Sequence, residues 1–215
     1  MQSYLITIAE SEAKNAAEAS ERLAARAAYG KQLGAALVDS GRMHPSSEGK
    51  RVWSDRVASG PFDGAIETYY VVRADDLDAA TRMARECPGG VVDVRPVMHE
   101  HLQPRTDEAG KLFACGVLGV APDEAAWTAT MDNIQRVTSN KFAASFRGGL
   151  RLEAPTTGKR ITKGHVIDGP FMEAKEVIGG LFFIREASLA DAVAWAQKAS
   201  FMQYGGLEIR ELWRT

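Results

Sequence analysis

Two groups of side chains in this sequence could do chemistry on a small molecule. The first is an acid at a chain bend: Asp168 precedes Gly169-Pro170-Phe171, and a strand must break there because Pro170 has no N–H to donate. A carboxylate projecting from that bend into a cleft between sheet and helix would be desolvated. Its pKa would rise, which suits general acid–base catalysis. His165 is the natural proton-transfer partner, but alternation along a strand puts it on the opposite face unless a twist or bulge intervenes. The plainer role for Asp168 is a turn residue bonding nearby backbone N–H groups. The second group would bind. Phe171 lies beside the acid, Glu173, Lys175 and Glu176 form a charged loop able to close over a polar ligand, and Tyr29 sits on a helix covering the sheet. Tyr29 equally fits a core aromatic, and the charged loop a solvated one.

Other chemistries find little support. Cys87 and Cys115 sit in apolar segments without a neighbouring cation and read as buried reduced thiols. His99-Glu100-His101 has metal-capable side chains, yet alternate residues in a linker rarely converge on one ion, so no metal is expected. Gly89-Gly90 and Gly205-Gly206 do not sit between a strand and a helix start, so no dinucleotide fingerprint exists and no tightly bound cofactor is expected. The paired Gly-Lys-Arg segments at 49–51 and 158–160 read as solvated hairpin tips, with an anion site as the alternative. A net charge of -2, with both signs scattered through the chain, disfavours nucleic acid and anionic membranes. No apolar run approaches a membrane span, which predicts a soluble, cytoplasmic protein.

These residues must be positioned by a repeated set of elements. Sliding the chain by 109 positions aligns Gly49-Lys50-Arg51 with Gly158-Lys159-Arg160, and Ser59-Gly60-Pro61-Phe62 with Asp168-Gly169-Pro170-Phe171. With three more residues in the second copy, Tyr69 to Arg73 falls on Leu181 to Arg185. Near the end, Val92-Asp93-Val94-Arg95 falls on Leu207-Glu208-Ile209-Arg210.

Each half predicts an apolar strand (Tyr4 to Ala9; Phe113 to Val120) and then a long helix. Leu23, Leu33 and Leu37 mark the first helix, and Trp127, Met131, Ile134, Phe142 and Phe146 the second; glycines at 41 and at 148 to 149 would stop them. Two strands around the Gly-Pro bend follow, Arg51 to Val57 then Tyr69 to Val72, and Arg160 to Ile167 then Leu181 to Ile184. A second helix is capped by Asp76 or Ser188, and a last strand alternates apolar Val92, Val94 or Leu207, Ile209 with charged neighbours, as a half-buried antiparallel strand does. The β-α-β-β-α-β order predicts an α+β protein of two tandem ferredoxin-like modules, residues 1–98 and 111–215, joined by a linker at 99–110. Each module leaves one sheet face bare, so the two should pack sheet to sheet as an internal pseudo-dimer.

The run Asp168-Gly169-Pro170-Phe171, followed by Glu173, Lys175, Glu176, Gly179 and Gly180, resembles the signature of DGPF-domain proteins within the YCII-related family; Ala28-Tyr29-Gly30 and Val94-Arg95-Pro96-Val97 resemble it in the first half. The resemblance implies a dimeric α/β-barrel arrangement in a bacterial-type protein, with any further homodimer left open. It implies an enzyme or ligand-binding protein for an unidentified small molecule, with lyase-type elimination among the reactions of similar proteins. Two other roles compete with it: a regulatory or interaction protein tied to sigma-factor signalling, and a cofactor-independent oxygenase of the same barrel type. The first half carries Ser59 where the motif has its acid, so the second half is the expected seat of function.

Overall fold

A computed structural model describes residues 1–103, 109–119, 144–169, 177–198 and 205–213, together with Ala125, Ala129 and Asp132, which are helical. The fold is α+β, dominated by one large antiparallel sheet with few helices. In the first half, β1 (Gln2–Ala9), α1 (Ala16–Leu33), β2 (Leu37–Arg42), a hairpin of β3 (Lys50–Val52) and β4 (Val57–Ser59), β5 (Ile66–Ala74), α2 (Leu77–Arg85) and β6 (Val91–Leu102) follow in order. The second half has β7 (Lys111–Gly119), β8 (Phe146–Leu152), a hairpin of β9 (Lys159–Thr162) and β10 (His165–Asp168), β11 (Val177–Glu186), α3 (Leu189–Gln197) and β12 (Gly205–Glu211).

The sheet runs β2-β5-β1-β6 and continues β8-β11-β7-β12, so both halves use the strand order of a ferredoxin-like sheet. Two seams join them. Val97 to Leu102 of β6 pair with Gly148 to Leu152 of β8. At the other seam Met43 bridges Leu212, the N–H of His44 donates to the Glu211 carbonyl (2.8 Å) and that of Trp213 to the Arg42 carbonyl (3.0 Å). The eight strands thereby close into a barrel.

Alternation then sorts the side chains into two layers. Leu5, Tyr69, Val71, Ala114, Leu150, Leu152, Leu181, Phe183 and Leu212 point inward and form one core shared by both halves. Tyr4, Ile6, Tyr70, Val72, Val92 and Val94 point outward beneath the first half's helices, and Phe113, Cys115, Phe182, Ile184, Leu207 and Ile209 face α3 and Trp195. The helix starts follow their caps: Asp76 accepts from the Ala79 N–H (2.7 Å) and Ser188 from the Asp191 N–H (3.2 Å).

The hairpins do not stay with their own halves. β3 pairs with β12, putting Val52 into the second half's outer core, while β9 pairs with β6, putting Ile161 into the first half's. Full burial of each such side chain contributes roughly 1.5–3 kcal/mol. The Gly-Lys-Arg segments are therefore ladder strands, not the expected hairpin tips. Residues 51–57 and 160–167 belong to these exchanged arms and not to a central strand. The second strand of each half's four-stranded sheet is instead β2 or β8, where the sequence suggested helix ends.

Gly41 lies within β2 because the Tyr69 ring covers it: an added Cβ would sit 2.6 Å from Tyr69 Cε1. Leu37 starts that strand, and Leu23 is exposed on α1, whose buried face is Arg26, Tyr29 and Leu33. His99 to Leu102, expected as linker, extend β6.

Candidate functional site in the barrel

Because Val92 and Val94 face the helices, Asp93 and Arg95 face inward; likewise Glu208 and Arg210 on β12. The charged side of these strands was expected to meet water. It meets the exchanged arms instead. Arg160 on β9 sits opposite Asp93 and holds both its oxygens, Nε to Oδ1 at 2.6 Å and Nη2 to Oδ2 at 2.7 Å. Arg51 on β3 sits opposite Glu208 and donates from Nε (2.9 Å) and Nη2 (2.8 Å) to Oε2. Bidentate guanidinium–carboxylate contacts fix orientation as well as charge. The glycine that begins each arm admits the other arginine of its partner strand: a Cβ on Gly49 would lie 2.8 Å from Arg210 Cγ, and one on Gly158 2.3 Å from Arg95 Cδ.

These groups border a cavity of about 840 Å³. Leu5, Ile66, Leu118, Leu152 and Ile178 supply its apolar surface. Arg51, Asp93, Arg95, Arg160 and Glu208 supply the charge, and Glu10 with the bend Pro61 to Ala65 contributes further wall. Phe62 of that bend lies under the Arg51 guanidinium, 4.5 Å from ring centroid to Cζ. Glu10 is tied to Arg26 (2.7 Å), which also meets Glu67 (2.6 Å). Arg95 is buried; it donates to the carbonyls of Glu153 and Ile178. Desolvation lowers its pKa to about 10, against the opposing pull of Asp93 and Glu153. Burial of Arg210 acts in the same direction, with Glu208, Glu67 and Glu12 opposing it.

Those described residues that were singled out from sequence lie elsewhere. Asp168 ends β10 with its side chain 80% exposed and ion-paired to Lys159 at 2.8 Å across the hairpin, so the desolvated acid expected there is a surface residue. His165, at the other end of β10, is exposed and three residues away on the opposite face; the strand does not bring the two together. Tyr29 is a core aromatic: its hydroxyl donates to the Met83 carbonyl (3.0 Å), its ring meets Tyr70 edge-on at 5.0 Å, and it does not line the cavity. Burial pushes its pKa up. Phe171, Glu173, Lys175 and Glu176 fall outside the described residues. Both cysteines are buried free thiols, and desolvation raises Cys87 to about 12 and also raises Cys115. Among the described residues no cluster of metal-capable side chains occurs, and no helix is long and apolar enough to cross a membrane.

Sequence reading missed Arg51, Asp93, Arg95, Arg160 and Glu208 as a site. The signal was present as an acid-x-arginine pattern at matching places in both halves, but alternate charge on a strand ordinarily marks a wet face.

Fold and site together define an α+β barrel protein with a charged cavity that opens to solvent. The chain belongs to the YCII-related family: the YCII-related domain matches residues 93–215, beginning within β6. No curated protein sequence matches it. Among solved structures, it is similar to a candidate chlorite dismutase, at 9% identity and a TM-score of 0.46, covering 100% of this chain and 96% of that one. It is also similar to an anthrone oxidase-like protein, at 12% identity and a TM-score of 0.42, covering 99% of this chain and 92% of that one.

Proposed function

We infer that this protein binds a small organic molecule in the barrel cavity, as a binding protein or an enzyme, and that its two halves are copies of one module that together enclose the site. The cavity carries this reading. Its volume falls in the range of small-molecule pockets, and an apolar surface set against a few fixed polar groups is the composition such pockets have. Supporting the paired origin, the arms repeat each other residue for residue: Arg51 meets Glu208 as Arg160 meets Asp93, in the same antiparallel register. Since Asp168 faces solvent, the polar chemistry available to a ligand belongs to the inward charges of β6 and β12 and to the two arm arginines.

A neutral aromatic probe tests the reading. Indole is expected to bind the native protein measurably by calorimetry, and Ile178→Trp, which fills the cavity from its wall, to weaken it by about tenfold or more. Asp168→Asn should leave that binding and the thermal midpoint unchanged. Indole binding that is indifferent to Ile178→Trp would remove the cavity from the function.

A further inference from the structure

We propose that the ligand is an uncharged molecule bearing a hydroxyl, and that the side chain of Thr7 receives that hydroxyl; this rests on the cavity reading above. Thr7 lies on β1 between Ile6 and Ile8, which face the helices, so it points inward and lines the cavity at 9% exposure. Its hydroxyl has no hydrogen-bond partner among the described residues. On one side Thr7 stands in register with Tyr69 of β5, whose own hydroxyl donates to Asp39 (2.8 Å). On the other it stands in register with Asp93 of β6, which sets the two Cβ atoms about 5 Å apart. Each Asp93 oxygen accepts one bond from Arg160 and keeps capacity for another. A ligand hydroxyl seated there would donate to Asp93 and accept from Thr7.

The second half lacks this arrangement. Gly116 of β7 stands in register with Glu208 as Thr7 does with Asp93, and it does not line the cavity. An added Cβ there would meet nothing closer than 3.7 Å, so packing leaves room for a side chain that the second half does not supply. The charged groups of the wall favour a neutral ligand. Asp63 stands on the exposed bend at the rim, in water. Deeper in, Arg51 is bonded to Glu208, Arg160 to Asp93 and Glu10 to Arg26, while Arg95 has the carbonyls of Glu153 and Ile178, with Asp93 and Glu153 also facing it. An ion would shed its water and find these counter-charges already engaged. The apolar surface from Leu5, Leu118 and Leu152 would take the body of a neutral molecule.

Phenol and toluene, which differ by a hydroxyl in place of a methyl, are the probes, with benzoate and benzylammonium as charged counterparts. Near neutral pH the native protein is expected to bind phenol about tenfold or more tightly than either ion. Thr7→Val keeps the shape of the side chain and removes its hydroxyl. It should weaken phenol about tenfold, the loss of one hydrogen bond, and leave toluene unchanged or tighter. Thr7→Ser, which restores the hydroxyl, should recover most of the phenol affinity. Since the Thr7 hydroxyl holds no protein group, Thr7→Val should also keep or raise the thermal midpoint, whereas a structural hydroxyl would lower it. Phenol weakened no more than toluene by Thr7→Val, a lowered midpoint, an ion bound as tightly as phenol, or binding of neither phenol nor toluene would each overturn the proposal. Ile178→Trp separates the two levels: it weakens phenol and toluene alike if only the hydroxyl assignment is wrong, and neither if the cavity is not a site.

Discussion

Arg51 and Arg160 hold the same place in the two exchanged arms, yet the acids they meet are buried to different depths. The Glu208 side chain keeps 9% of its exposure and Asp93 keeps 26%. The arms share backbone register, the inward arginine and the glycine under it. They differ in how far the opposing acid reaches. Register and close packing are set by backbone geometry, which tolerates little change. The length of one acidic side chain is cheap to vary, and it redistributes charge around the cavity. Equivalent scaffolds can therefore present unequal electrostatic walls.

The largest difference expected between the arms comes from the arginines. Arg51→Met would leave Oε2 of a buried glutamate without its guanidinium while Oε1 keeps Arg210, and is expected to cost about 2–3 kcal/mol in chemical denaturation, whereas Arg160→Met leaves an acid that water still reaches and should cost about 1 kcal/mol. Equal losses would show that burial depth is not what separates the arms.

The glycines at the bends should behave alike. A Cβ on Gly60 would lie 1.8 Å from the Ser46 carbonyl oxygen and one on Gly169 2.2 Å from that of Pro155. Alanine at either position is thus expected to cost about 3 kcal/mol. Free tolerance at one bend alone would mean that the arms are held differently.

The smallest effect concerns a contact of the first half. Glu12 accepts from the Ser47 N–H (2.8 Å) and from the hydroxyls of Ser46 and Ser47. Pro155, where the second half has its counterpart of Ser46, offers no hydroxyl. The backbone bond from Ser47 leads the side-chain bonds and Arg210 in holding the Glu12 pKa below its ordinary value, against desolvation. A depressed carboxylate contributes stability above its unfolded pKa and loses it as pH falls through the folded one. Glu12→Gln should therefore lower stability slightly at neutral pH and flatten the acid limb below the ordinary glutamate range, so that the variant and the native protein converge at low pH. An unaltered acid limb would dismiss the contact.

Much of the scaffold was readable along the chain. The strands at β1, β5, β6, β7, β11 and β12 announce themselves as apolar segments, and the Asp76 and Ser188 caps mark their helices. β2 and β8 were hidden because their glycines look like helix stops. Gly41 is required by the Tyr69 ring and Gly149 by Phe182, whose Cβ would lie 2.9 Å away from an added Cβ, and neither neighbour is local in sequence. The candidate site was harder to read. A Gly-Pro bend preceded by an acid drew attention to Asp168, but its ion-pair partner among the described residues is the lysine across a two-strand hairpin.

By itself the sequence determined the alternation of strands and helices, the places where the chain must bend, and the matched acid-x-arginine pairs of the closing strands, because each rests on local sterics or on a period of two. It could not determine which side of those strands would meet water. That was decided when the barrel closed and the arms crossed over: only then does a guanidinium from one half stand opposite a carboxylate from the other, so that the charged face of each strand turns inward and borders a cavity.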